Sequence, residues 1–130
     1  MFDVKFRAKI IEKGERFGKW AYGGYTKVET SDGIRGFITE ENLKIVEVDI
    51  YTVGMCTYRE DKNRKLFYEG DIIREPQPNK YWAKGFEYVV QWEPCRTGFI
   101  FARPSSVNEF RGIDFSEYTI VGNVHDNPRP

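Results

Sequence analysis

Glu69 and Asp71 stand two residues apart in the run Tyr68-Glu69-Gly70-Asp71-Ile72-Ile73. On one extended strand that spacing would put both carboxylates on one face, as acid–base or metal chemistry requires. The glycine between them, set after Phe67-Tyr68 and before Ile72-Ile73, reads instead as a turn in which Asp71 accepts from backbone N–H groups and starts the next strand. Glu69, Gly70 and Asp71 are therefore expected to be a structural turn, with no catalytic role.

Other constellations are less complete. Two cysteines, Cys56 and Cys95, and one histidine, His125, are too widely spaced for a four-ligand zinc site, so no metal is expected. His125 reads as a surface or turn residue. A nucleophile would have to be Ser105 or Ser106 working with His125 and a carboxylate, but neither serine stands in a nucleophile-elbow sequence. The stretch Gly18-Lys19-Trp20-Ala21-Tyr22-Gly23-Gly24 has the outer glycine spacing of a phosphate loop and lacks the Lys-Ser or Lys-Thr that should follow. Arg35-Gly36-Phe37 begins like an RNA-stacking strand, yet Ile38-Thr39 departs from that pattern. The expectation is a non-enzyme without a cofactor.

One denser grouping remains. Trp20, Tyr22, Tyr25 and Phe37 lie among Lys19, Lys27 and Arg35, and aromatic rings interleaved with cations form the platforms on which single-stranded nucleic acid stacks. The simpler alternative is a sheet whose alternate aromatics are core and whose alternate lysines are wet. These seven residues are the candidate binding set.

The elements that must position them read as strands. Phe6, Ala8 and Ile10 alternate with Lys5, Arg7 and Lys9, a half-buried strand continuing the alternation of residues 2–4. A polar turn over 13–19 leads to an aromatic strand over 20–30 that the Gly23-Gly24 pair should bend. Ser31-Asp32-Gly33 is a hairpin turn signal, with the return strand over 34–39. Glu40-Glu41-Asn42 makes a corner, and 43–53 reads as one β-branched strand. Short strands over 66–68 and 72–74 flank the acidic turn, and prolines make a loop of 75–79. Residues 86–92 and 99–102 form a hairpin, 118–124 the last strand, and 105–115 alone could hold a helical turn. The class is mainly β: small antiparallel sheets or a partly open barrel, in two closely packed β-rich lobes, 1–50 and 51–130, with little helix.

With 20 basic and 20 acidic residues among 130 the formal net charge is zero, so no global field draws in nucleic acid. No apolar run approaches a membrane span, and the N-terminus lacks the basic start and apolar core of a signal peptide. The expectation is a cytoplasmic protein with reduced thiols and no membrane partner.

Thr52-Val53-Gly54 with Asp61-Lys62-Asn63, then Tyr68-Glu69-Gly70-Asp71-Ile72-Ile73, and Ile120-Val121-Gly122-Asn123-Val124 with Asp126-Asn127-Pro128, resemble the YopX family of phage and prophage proteins. Lys5-Phe6-Arg7-Ala8 is similar to its opening, and Gly18-Lys19-Trp20 with Tyr22-Gly23 to a later segment of it. The chain departs from the family pattern at Tyr58 and Arg64, where the family has glycine, and at Lys9, where it has an aromatic. Loss of glycine at 64 puts the Asp61-Lys62-Asn63 hairpin in question, because a side chain at positive φ is strained. The resemblance implies a phage-encoded protein of the bacterial cytoplasm, β-rich and homo-oligomeric, with no catalytic residues to carry across. It favours a module that binds host or phage protein, with single-stranded nucleic-acid binding as the alternative.

Overall fold

A computed structural model describes residues 5–76, 86–96, 98–103, 106–109 and 115–126. Residues 2–4 of the first expected strand, 77–79 of the proline loop, Ser105 and Asn127-Pro128 lie outside them. The described residues are mainly strand, in two antiparallel sheets with no closed barrel, and the chain divides into two compact units, Met1–Cys56 and Thr57–Pro130.

In the first unit, β1 (Phe6–Lys9) pairs with β2 (Trp20–Thr30), β2 with β3 (Gly33–Thr39), and β3 with β4 (Ile45–Val48), all antiparallel. β5 (Gly54–Glu60) flanks β1 on its other side through Phe6↔Met55 and Arg7↔Gly54. β2 changes partners at its glycine pair. Residues 20–23 face β1, whereas residues from Gly24 onward face β3. Gly23 is at φ 156°, and a Cβ there would lie 2.0 Å from the Thr39 carbonyl oxygen. Only glycine lets the two backbones approach this closely.

The β2–β3 hairpin closes on a two-residue loop, Ser31-Asp32, with Gly33 at φ 120° in the pair that shuts it. Thr30 holds the loop by donating its hydroxyl to the Gly33 carbonyl at 2.7 Å and accepting from Asp32 N–H at 3.2 Å. The alternation of β1 then delivers the core. Ala8, Ile10, Ala21, Ile38, Val46 and Val48 are buried together, with Phe6, Tyr25 and Val53 packed against them. Ile10 also forms an isolated bridge to Val48, which curls β4 back toward the end of β1.

The single strand expected over 43–53 is interrupted. Asp49 accepts from Tyr51 N–H at 3.0 Å and caps a 3-10 turn, Ile50–Thr52, and the Thr52 hydroxyl accepts from Lys9 N–H at 2.8 Å. A local side-chain acceptor has outcompeted β-propensity. These contacts also hold residues 50–56 in the first unit.

β5 has no counterpart in the sequence reading. Its later half belongs to the second unit, where the Thr57 hydroxyl donates to the Phe67 carbonyl of β6 (Leu66–Tyr68) at 3.0 Å. The second sheet runs, in spatial order, β10 (Ser106–Glu109), β9 (Gly98–Arg103), β8 (Glu87–Glu93), β7 (Asp71–Arg74) and β11 (Thr119–Asn123). Residues 106–109, within the 105–115 stretch that alone could hold a helical turn, are thus a strand. They pair with β9 from Ser106↔Arg103 to Glu109↔Ile100, a ladder that a four-residue window cannot announce. Phe67, Ile73, Tyr88, Val90, Phe101 and Phe115 form this unit's core. The Phe115 ring meets Phe67 at 5.5 Å and Phe101 at 5.4 Å in edge-to-face geometry, the favoured arrangement of ring quadrupoles.

Candidate binding face

Side chains one residue apart on a strand leave by opposite faces, so the core assignment fixes what lies outside it. In the first unit Ala8 and Ala21 are core, which sends Arg7, Lys9, Trp20 and Tyr22 to the opposite face, where Arg7 is nonetheless only 6% exposed. On β3 the buried Ile38 sends Phe37 and Arg35 outward, and on β4 the buried Val46 does the same for Ile45 and Glu47.

The outer face is built from ring and cation pairs. The Arg7 guanidinium lies 4.4 Å from the Trp20 ring centroid and Lys9 Nζ 5.0 Å from it. Lys5 Nζ is 5.9 Å from the Tyr22 ring, and the Arg35 guanidinium 5.5 Å from Phe37. These pairs follow from register: Lys9 stands opposite Trp20 and Arg7 opposite Tyr22. Arg35 makes a bidentate pair with Glu47, 2.9 and 2.6 Å, and so holds an acid on the same face. That bond, with the opposite charge beside it, holds the Glu47 carboxyl below its usual range and Arg35 above its own.

Trp20, Tyr22, Phe37 and Arg35 of the candidate set therefore share one side. Tyr25 does not, because it lies three positions along the strand from Tyr22, an odd step that reverses the face. It packs with its ring centroid 5.7 Å from Phe6 and lies across Gly36, where a Cβ would meet Tyr25 Cε1 at 2.9 Å. The ring fills the space the glycine leaves, and burial raises its phenol pKa. Lys27, opposite Gly36, has the strand parity of Tyr25 and is exposed; Lys19 lies in the turn before β2, its backbone N–H bonded to the Arg16 carbonyl.

Lys5, Arg7 and Lys9 were the missed members. Their alternation with Phe6, Ala8 and Ile10 was legible, but nothing local says which strand those cations will face. Exposed apolar side chains complete the face, with Tyr22 and Val28 each 41% and Ile45 61% accessible.

The acidic run lies in the second unit and is a turn between β6 and β7. Asp71 is 1% exposed, and its Oδ2 accepts from Tyr68 N–H at 2.7 Å. Gly70, at φ 93°, donates to the Val90 carbonyl at 2.8 Å and accepts from Val124 N–H at 2.9 Å. Glu69 Oε2 accepts from Trp92 N–H at 3.4 Å. Both carboxylates thus engage backbone amides. His125 lies beside this turn, its Nε2 3.5 Å from where a Gly70 Cβ would sit, and its own N–H bonds Asn123 Oδ1 at 3.0 Å.

Both cysteines are free thiols, Cys56 buried and Cys95 exposed. Among the described residues no cluster of three His, Cys, Asp or Glu is placed to hold a metal, and no helix is long and apolar enough to cross a membrane. The family model described as YopX protein matches residues 5–129, nearly the whole chain. No curated protein matches it.

Proposed function

The chain belongs to the YopX family, and from that premise we propose that it is a phage or prophage accessory protein of the bacterial cytoplasm, a non-catalytic module that acts by binding protein and assembles with itself. One observation carries the reading: the outer face of the first unit presents Tyr22, Val28 and Ile45 to solvent beside the half-buried Phe37, with cations among them. Exposed apolar surface enriched in aromatics and arginine, on a sheet whose other face is already its core, has the composition of an interaction surface. A second copy of the chain or another protein would cover it.

A second reading rests on Trp20. Its ring, flanked by Arg7 and Lys9, is also what a stacking platform for single-stranded nucleic acid uses, although both cations already sit against it. Sedimentation equilibrium separates the two. Self-association that weakens in the Tyr22→Ser, Ile45→Ser double variant supports the protein-binding module. A monomer at every concentration, together with oligonucleotide binding that falls steeply with salt and loses about 1–3 kcal/mol in Trp20→Ala, replaces it with the nucleic-acid reading.

A further inference from the structure

The hairpin joining β5 to β6 carries Arg59, Lys62, Arg64 and Lys65 against Glu60 and Asp61. Asp61 N–H donates to the Lys65 carbonyl at 2.8 Å and Arg64 N–H to the Asp61 carbonyl at 3.0 Å, which makes a tight turn closed by Arg64 at φ 62°. That left-handed conformation suits glycine, and Tyr58, at φ 59° in β5, is held in the same way. A charged side chain kept at such a position points to a use for the side chain.

A groove of about 330 Å³ opens at this hairpin, lined by Arg59, Lys62 and Arg64 together with Glu60, Asp61 and Phe115. The Asp61 carboxylate is turned away into the fold and is 4% exposed. Its Oδ1 accepts from Asn63 N–H at 2.8 Å and Lys65 N–H at 2.9 Å, and its Oδ2 from Ile120 N–H at 3.2 Å. Arg59 lies with its guanidinium 5.3 Å from the Phe115 ring, which holds it at the wall. Among the described residues Lys62 and Arg64 have no ion-pair partner. Three cations thus line one groove; of the two acids that line it with them, Asp61 is already spent on backbone amides and Glu60 is exposed.

We propose that this groove binds the phosphate of an organic phosphate of mononucleotide size, with Lys62 and Arg64 as its charge contacts and Arg59 completing the set. Guanidinium and ammonium groups lining one groove suit a phosphate's oxygens, and the volume exceeds what an inorganic ion fills. The groove is lined only by residues of the second unit, whereas the Tyr22→Ser, Ile45→Ser variant changes residues of the first, and it is expected to leave AMP binding unchanged.

The test is calorimetric titration of the full chain at low salt with AMP, adenosine and a single-stranded oligonucleotide. AMP binds, adenosine does not, and Lys62→Ala with Arg64→Gly weakens AMP about tenfold, the loss expected for charge-assisted contacts. Glycine suits the turn at 64, so unfolding cannot account for that loss. An oligonucleotide that binds more tightly than AMP and weakens in the same variant identifies a nucleic-acid backbone as the source of the phosphate; AMP binding as tight or tighter identifies a free nucleotide. Adenosine binding as well as AMP, no AMP binding, or an unaffected double variant overturns the proposal.

Discussion

Arg64 shows what one residue does at a position whose backbone suits another. At φ 62° it holds the left-handed conformation closing the Asp61–Lys65 turn, which costs a side-chain-bearing residue about 1–2 kcal/mol. Glycine there would relieve the strain but enlarge the entropy of the unfolded chain by about 0.4–1 kcal/mol. Arg64→Gly is therefore expected to raise stability by about 0.5–1 kcal/mol, read as a higher urea midpoint at unchanged slope. A lower midpoint would mean that the arginine side chain contributes more than the strain removes. Asp61 is what makes the turn tolerable without glycine, because its carboxylate accepts three backbone N–H groups. Asp61→Ala strands those donors and should cost about 3 kcal/mol by the same denaturation measurement.

At the scale of elements, the bend in β2 governs the first unit. Adding a methyl at Gly23 drives it against the Thr39 carbonyl, where only backbone movement can relieve the overlap. Gly23→Ala should cost about 2–4 kcal/mol, and hydrogen exchange should show lost protection in β2 and β3. Gly24→Ala, with nothing within 4 Å of its Cβ, is the matched control and should change little. The β1 alternation and the hairpins of strands 20–30 with 34–39 and 86–92 with 99–102 were legible because period-2 patterning and turn residues are local signals. β5 was not legible. Gly54, Met55 and Cys56 form no obvious strand pattern, and they become one by pairing with β1, nearly fifty residues earlier in the chain.

Across the whole molecule the formal charges cancel near pH 7, so no net field acts there, and the first acid-sensitive contributions come from particular pairs. Glu40 is hydrogen-bonded by Arg16 at 2.7 Å through both oxygens, and Glu47 is held in the same way by Arg35; each carboxyl lies below its usual value for that reason. A carboxyl lowered by folding stabilises the native state fully above the unfolded value of about 4.3, and the contribution fades as pH falls through the lower folded value. Stability should therefore decline with acid below about pH 4.3, and Glu40→Gln with Glu47→Gln should flatten that limb of a Tm-against-pH curve. The arginines of both pairs are 39% and 50% exposed, so added salt should shrink the effect. An acid limb unchanged in the double variant would place the sensitivity elsewhere.

The sequence by itself determined the mainly β class, the bend at Gly23-Gly24, the hairpin at Ser31-Asp32-Gly33 and the resemblance to the YopX family, because alternation, glycine and turn chemistry act over a few residues. Tertiary structure alone decided which residues meet. It set Arg7 and Lys9 against Trp20, turned Tyr25 inward over Gly36, made a strand of residues 54–60 and gathered Arg59, Lys62 and Arg64 around one groove. Period 2 says which side chains share a face of one strand, whereas the neighbour across the ladder is chosen by the packing of the unit as a whole.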